Sequence, residues 1–415
     1  MKDSLAALRS TPYRFLLAGR TINALGNSFA PIALAFAVLD LTGSARDLGL
    51  VVGTRTLANV IFLLFGGVLA DRLPRHLMMV GSNVAAAVTQ AAVAALVLTG
   101  AATIPLLVLL SVLNGVASAM ALPASAALLP MTVPENVRLQ AIALSRIVLN
   151  GAMVLGAPAA GVVVAATDPG VGIAVDAVTF VVAAFCFAAV RVAVPARSGP
   201  RSHVLADLRT GWSEFRSRTW LWAVVAGFSL LNAAWSGGLY VLGPTVADQT
   251  VGRPAWGLVL AAETAGLVLG GLLAIRLRLR RLLFVGVVSC FGMALPLFVL
   301  GVYPQLWALF LAMFVAGLML EQFGVAWETT VQEHVPADRL ARVYSYDMVG
   351  SFAAIPLGQV AIGPIAEVAG LRATLIGTGV AVVVAVLGML ASRDVRTLRH
   401  RLPEDEPGTM KESVT

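Results

Sequence analysis

The sequence predicts an all-α membrane protein, with twelve transmembrane helices in two pseudo-symmetric six-helix bundles. Three observations carry this. The 415 residues are 59% hydrophobic and 12% charged, with a mean hydropathy of +0.88, whereas a soluble globular chain is about 25% charged. The apolar runs reach about 20 residues or more, enough for a helix to cross roughly 30 Å of hydrocarbon. Positive charge also gathers in alternate loops between the runs, as the positive-inside rule requires.

In order, the first half offers spans at Phe15–Leu41, Leu48–Ala70, Leu77–Thr99, Ile104–Ala127, Ile142–Thr167 and Val171–Val190. The second offers Leu221–Val246, Trp256–Ile275, Leu282–Val302, Leu306–Thr329, Val343–Ala369 and Leu371–Leu390. Helices are expected because each satisfies its own backbone hydrogen bonds in lipid. The short alternating segments of a transmembrane barrel are not seen. Lys2, Arg9 and Arg14 precede a first run too long for a signal-peptide core, with no small-residue cleavage site at its end. It reads as an uncleaved first helix.

With both termini in the cytoplasm, the outer loops hold only Arg46, Arg253 and Arg372, while Arg20, Arg55 and Arg146 lie within spans. The rest of the 29 Lys and Arg fall on the cytoplasmic side. The net charge of +7 and the pI of about 10.1 are then a topology signal, and no nucleic-acid partner is expected. Cys186 and Cys290 lie in separate apolar runs and support neither a disulfide nor a zinc site. No cofactor and no metal is expected.

The longest polar stretch, Arg191 to Thr219, separates six spans from six. It opens with VAVPARSGPRS and then sets Leu205, Leu208, Trp212 and Phe215 on one helical face, with Arg209, Glu214, Arg216 and Arg218 mostly elsewhere. That pattern fits a helix lying on the inner membrane surface. The expected organisation is a first bundle at 1–190, a linker with this amphipathic helix at 191–219, a second bundle at 220–392 and a cytoplasmic tail at 393–415. The halves echo each other. Val133-Pro134 corresponds to Val335-Pro336, and the same offset relates Gly156 to Gly358 and Gly161 to Gly363. "GGVLADR" (66–72) is matched by "GGLLAIR" (270–276). Parallel repeats of six helices place a binding site between them near the midplane, and rocking exposes it to each side in turn.

Between the second and third spans lies "GGVLADRLPRH" (66–76), an acid and three basic side chains amid apolar runs. Gly67 to His76 resembles the loop signature of the major facilitator superfamily, G-x-x-x-D-R-x-G-R-R, with Pro74 and His76 as departures. Residues 327–367 and 121–146 look like the bacterial exporter branch of that family, which includes enterobactin and macrolide efflux proteins. The resemblance implies the major facilitator fold, in the bacterial cytoplasmic membrane, as a monomer in the lipid bilayer. It also implies an inner gate in which Asp71 faces the start of the helix bearing Arg342 and Tyr344, where free N–H groups favour an anion. Arg72 and Arg75 would meet Glu328 and Asp347.

Charges inside spans are costly and point to function or to a buried partner. Arg20, Asn23 and Asn27 form a polar stripe on the first helix, which lines the central cavity in the resembling family. Arg146 and Asn150 repeat the pattern on the fifth helix, and Glu321 and Gln322 lie at a similar depth on the tenth. Glu263, on the eighth, is nearer the midplane. Burial disfavours an ionised carboxyl and a basic neighbour favours it, and this tension makes Glu263 and Glu321 the candidates for carrying a coupled proton. Arg55 on the second helix and Asp176 on the sixth lie nearer the outer face, and because the sixth helix is peripheral in the resembling fold, bracing is expected. Asn232, Trp235, Ser236 and Tyr240 share one side of the seventh helix, a surface suited to an amphipathic organic ligand or to packing. Two departures temper the export reading. The fourth helix has Asn114 and Ser118 where many proton-coupled relatives carry an arginine, and the antiporter signature of the fifth is reduced to GAPAAG (156–161).

The expected activity is secondary active transport by alternating access, namely proton-coupled export of an amphipathic, antibiotic- or siderophore-like small molecule. The rival readings are an uptake carrier or uncoupled facilitator and, more remotely, a membrane sensor. An enzyme is not expected. The four histidines, His76, His203, His334 and His400, all fall in loops or the tail, and no H-E-x-x-H, G-x-S-x-G or phosphate-binding lysine loop is present. Such a carrier would draw on an ion or substrate gradient.

Overall fold

Long apolar runs fold as helices throughout the computed structural model, which describes residues 7–70, 75–191, 212–213, 215–274, 279–336 and 339–400. The first half comprises α1 (Thr11–Thr42), α2 (Ala45–Ala70), α3 (Arg75–Leu98), α4 (Ile104–Leu128), α5 (Arg138–Ala166) and α6 (Pro169–Ala188). The second comprises α7 (Thr219–Gln249), α8 (Arg253–Ala274), α9 (Leu282–Val302), α10 (Leu306–His334), α11 (Leu340–Phe352 with Ile355–Ala369) and α12 (Leu371–Ala391), followed by the short α13 (Arg393–Thr397). Among the described residues, eleven helices are long and apolar enough to cross a membrane; α2, 26 residues long, completes the series. Large apolar side chains such as Leu155, Phe185, Leu311 and Val368 point outward, as lipid-facing surface does. The chain is a multi-pass membrane protein.

Local chemistry sets the helix ends. The Ser10 hydroxyl accepts from the Tyr13 N–H at 3.4 Å at the start of α1, and Asp168 Oδ1 accepts from the Gly170 N–H at 2.6 Å at the start of α6. Gly43 ends α1 with φ +64°, its N–H bonded to the Leu39 carbonyl at 2.7 Å. Gly43, Gly100, Gly252 and Gly370, the positive-φ glycines among the described residues, all lie in tight connections on one face of the bundle, here the turn face. Contacts of Gly170 with Leu98 and of Gly363 with Arg46 join the same face. The opposite linker face is joined by the Ser10 hydroxyl on the Thr132 carbonyl, Arg218 on the His334 carbonyl, and the His400 N–H on the Arg280 carbonyl at 3.0 Å.

Three helices expected to be continuous are irregular, each just before a proline. In α7 a π-helical segment, Ser236–Leu242, precedes Pro244. In α9 a 3-10 turn, Cys290–Met293, precedes Pro296. In α11 a turn at Ala353–Ala354 precedes Pro356. Proline has no N–H to return to the carbonyl four residues back, here Tyr240, Gly292 and Phe352, so the preceding turn rearranges.

Within each half the helices pack as a bundle, chiefly α2 on α4, α3 on α6, and α1 on α5 and α6 in the first, and α8 on α10 and α7 on α12 in the second. Between halves the main packing is α5 against α8 and α2 against α11. The predicted linker helix lies largely outside the described residues. The part within them puts the Trp212 ring 5.8 Å from Phe215 and 5.5 Å from Tyr346 of α11.

Candidate functional site

A cavity of about 620 Å³ lies between the halves. Its first-half wall carries polar groups: Arg20, Asn23, Asn27 and Ser28 of α1, Arg55 of α2, Ser82 and Asn83 of α3, and Ser118 and Ser125 of α4. The second half contributes Tyr240 of α7 and Leu260, Glu263, Thr264 and Leu267 of α8. Leu149, Met153, Phe180 and Phe187 supply apolar surface. A concave, mostly apolar site with a few polar groups is what a small organic molecule requires.

The predicted α1 stripe faces this space. Asn23 Nδ2 donates to Asn83 Oδ1 at 2.7 Å, and Asn83 Nδ2 donates to the Met79 carbonyl at 2.7 Å. Asn23 Oδ1 is buried without a partner. Arg146 continues the Leu149–Met153–Ala157 stripe one turn toward the linker face and interacts electrostatically with Glu321 of α10, across the two halves. Asn150 is exposed on the same helix.

The remaining second-half candidates form internal braces. Asn232 Nδ2 donates to the Ser351 carbonyl at 2.9 Å, joining α7 to α11. Gln322 Nε2 donates to the Gly270 carbonyl at 2.6 Å, joining α10 to α8. Trp235 is buried in the core, and Ser236 accepts from Gln359 Nε2 at 2.7 Å. The π-helical segment, with more residues per turn than an α-helix, changes the helical phase, so Tyr240 reaches the cavity while Asn232 and Ser236 face α11. No sequence signal specified that phase change.

Asp71 and Arg72 lie outside the described residues, as do the side chains of Arg75 and Arg342. Their expected acceptors are in view. Asp347 accepts from Trp327 Nε1 at 2.9 Å and from Ser351 Oγ at 3.0 Å. Glu328 is exposed and accepts from Gln332 Nε2 at 3.1 Å.

The peripheral place of the sixth helix in the resembling fold suggested bracing for Arg55 and Asp176; Arg55 also lines the cavity. Its Nε donates to Asn114 Oδ1 at 3.1 Å, and Asn114 Nδ2 donates to Thr89 Oγ1 at 3.0 Å. Behind it, Asp176 is fully buried, accepts from Gln90 Nε2 at 2.6 Å, and interacts electrostatically with Arg55. Asn114 of α4 thus receives a guanidinium donor from α2. Asp176→Ala would leave the Gln90 amide unsatisfied and the Arg55 charge uncompensated, costing about 1–3 kcal/mol. Thermal unfolding of the purified protein should therefore shift down by several degrees, with Asp176→Asn recovering part of the loss.

On the turn face the halves close above the cavity. Arg253 of α8 donates from Nη1 to Asp40 Oδ2 of α1 at 2.9 Å, and Nη2 bonds the other carboxylate oxygen. Its Nε donates to Asp248 Oδ1 at 2.9 Å, and its guanidinium carbon lies 4.8 Å from the centre of the Phe36 ring. Below it α5 and α8 cross at Gly161 and Gly257, so closely that a Cβ on Gly257 would lie 2.5 Å from the Ala157 carbonyl oxygen.

This architecture, twelve long helices among the described residues with a cavity between two halves, agrees with the sequence comparisons. The Major Facilitator Superfamily pattern matches residues 16–358. The chain belongs to that superfamily. Its members are transporters acting on small substrates within the bilayer, some with protons, and are not enzymes in general. No curated protein sequence matches the chain significantly. Among solved structures, a bacterial homologue of the human lysosomal transporter Spinster, inward-facing and unoccupied, aligns with a TM-score of 0.74 and 16% identity, over 95% of this chain and 99% of that one. A mutant of the nucleoside transporter NupG aligns at 0.73 and 14% identity, over 92% and 99%. A D-xylose–proton symporter aligns at 0.64 and 15% identity, over 92% and 96%. At these identities the likeness is one of fold.

Proposed function

We propose that this superfamily member is a proton-coupled exporter of amphipathic small molecules that works by alternating access from the bacterial cytoplasmic membrane. The observation that carries the reading is the cavity between the halves, sealed on the turn face by the Arg253–Asp40 bridge and the glycine crossing of α5 and α8. With the termini in the cytoplasm the arrangement is inward-facing, which agrees with the likeness to the inward-facing Spinster homologue. Export is supported by the resemblance of residues 121–146 and 327–367 to the enterobactin and macrolide efflux branch. In the outward-facing state the linker face would close instead, through Asp71, Arg72 and Arg75 against α11, Asp347 and Glu328. The domain division at 191–219 gives each rocking body six helices.

Glu263 is the leading proton carrier, because it lines the cavity on the second half. Glu321, within reach of the Arg146 charge, is the second. The test uses inside-out proteoliposomes with a trapped pH dye and a panel of erythromycin, ethidium and indole-3-lactate. An imposed pH gradient should drive uptake of at least one member, and Glu263→Gln should remove the pH drive while substrate counterflow persists. Indifference of every flux to the gradient would refute coupling.

A further inference from the structure

The cavity is electrically lopsided. Two guanidinium groups, Arg20 and Arg55, line its first-half wall, and one carboxyl, Glu263, faces it from the second. Arg55 is bonded to Asn114 and backed by Asp176. Arg20 differs: among the described residues no carboxylate pairs with it, and the Tyr13 phenol is its electrostatic neighbour. That phenol is already committed to the Ala141 carbonyl at 2.8 Å and to Ser145 Oγ at 3.0 Å. Glu263 is also too far away to serve. The Arg253–Asp40 bridge sets a common level for α1 and α8. Counting 20 residues from Asp40 to Arg20 and 10 from Arg253 to Glu263, at about 1.5 Å each, puts the two backbone positions about 15 Å apart along the bundle axis.

A half-buried guanidinium without a counter-charge is costly within a membrane, and its planar fork matches a carboxylate, sulfonate or phosphate. One turn away the buried Asn23 Oδ1 lacks a donor, and the Asn27 amide faces the same space. We infer that the substrate is an organic anion whose acid group binds Arg20, whose adjacent hydroxyl or N–H donates to Asn23, and whose apolar body extends along Leu149, Met153 and Phe187. A cationic amphiphile would place like charge at Arg20, and a neutral one would leave it uncompensated. This inference rests on the transport reading and names the substrate class for the same cavity.

Four indoles of matched body test it: indole-3-lactate, indole-3-propionate, tryptophol and tryptamine, titrated onto the purified protein in nanodiscs by calorimetry. The expected order of affinity is indole-3-lactate, indole-3-propionate, tryptophol, tryptamine. Arg20→Gln should weaken both acids at least tenfold and leave tryptophol unchanged, while Arg20→Lys retains part of the acid preference. Asn23→Ala should erase the advantage of lactate over propionate. Should Arg20→Gln prove unstable, the ligand order and the Arg20→Lys variant decide alone. The inference is overturned if the acids bind no tighter than tryptamine, if Arg20→Gln leaves them unaffected, or if no indole binds. Gradient-driven flux of erythromycin or ethidium in such a case would leave the transport reading standing.

Discussion

Arg253→Glu is expected to open the turn face. The wild-type side chain bridges α1 and α8 through two bonds to Asp40 and a third to Asp248. The pair is partly exposed, at 22% for Arg253 and 44% for Asp40, so the attraction alone contributes only about 1 kcal/mol. Reversal also sets three carboxylates together, at about 1 kcal/mol per like pair near 4 Å in water. A total of roughly 3 kcal/mol changes a two-state ratio about a hundredfold. A cysteine at Ser28, within the cavity, reports the outcome when Cys186 and Cys290 are replaced. From the turn-face side, an impermeant maleimide should label Ser28→Cys slowly in the parent and rapidly in the Arg253→Glu background. Equal rates would remove the bridge from any gating role.

Gly257→Leu acts by volume and should be as severe. The α5–α8 crossing leaves no room for a Cβ beside the Ala157 carbonyl, and Gly161 Cα lies 3.2 Å from the same position. These obstacles are backbone atoms and cannot rotate away. Overpacking of this kind costs about 1–3 kcal/mol, and under the proposed rocking it would fall on the turn-face-closed state alone, because the crossing would separate as that face opens. Transport should drop more than tenfold while the protein still reaches the membrane in normal amount, and Gly257→Ala should lie between. Wild-type flux from the leucine variant would show that the crossing does not have to re-form.

The sequence made the scaffold legible because lipid imposes a length and a charge rule on every span. The stripe Arg20–Asn23–Asn27 was equally visible, since polar groups at helical spacing in an apolar run mark a helix face turned away from lipid. Side-chain partnership was not. Asn232 and Gln322 carry the same signal as Asn23, yet both bond carbonyls of neighbouring helices, and only the packing of α7 on α11 and α10 on α8 decides that. Arg55 looked like a brace to a peripheral sixth helix, but its contribution to the cavity wall depends on how α2 lies against α4. The seventh span read as one continuous helix, and its apolar pattern did not indicate that a π-helical segment before Pro244 would turn Tyr240 inward.

The two halves are expected to rock about the cavity, so that one face opens as the other closes. Paired spin labels measure this directly, with Thr42 and Thr250 reporting the turn face and Glu135 and Gln332 the linker face. On Arg253→Glu substitution or a change of pH, the turn-face distance should lengthen as the linker-face distance shortens. Distances that remain fixed, or that lengthen together, would rule out such rocking.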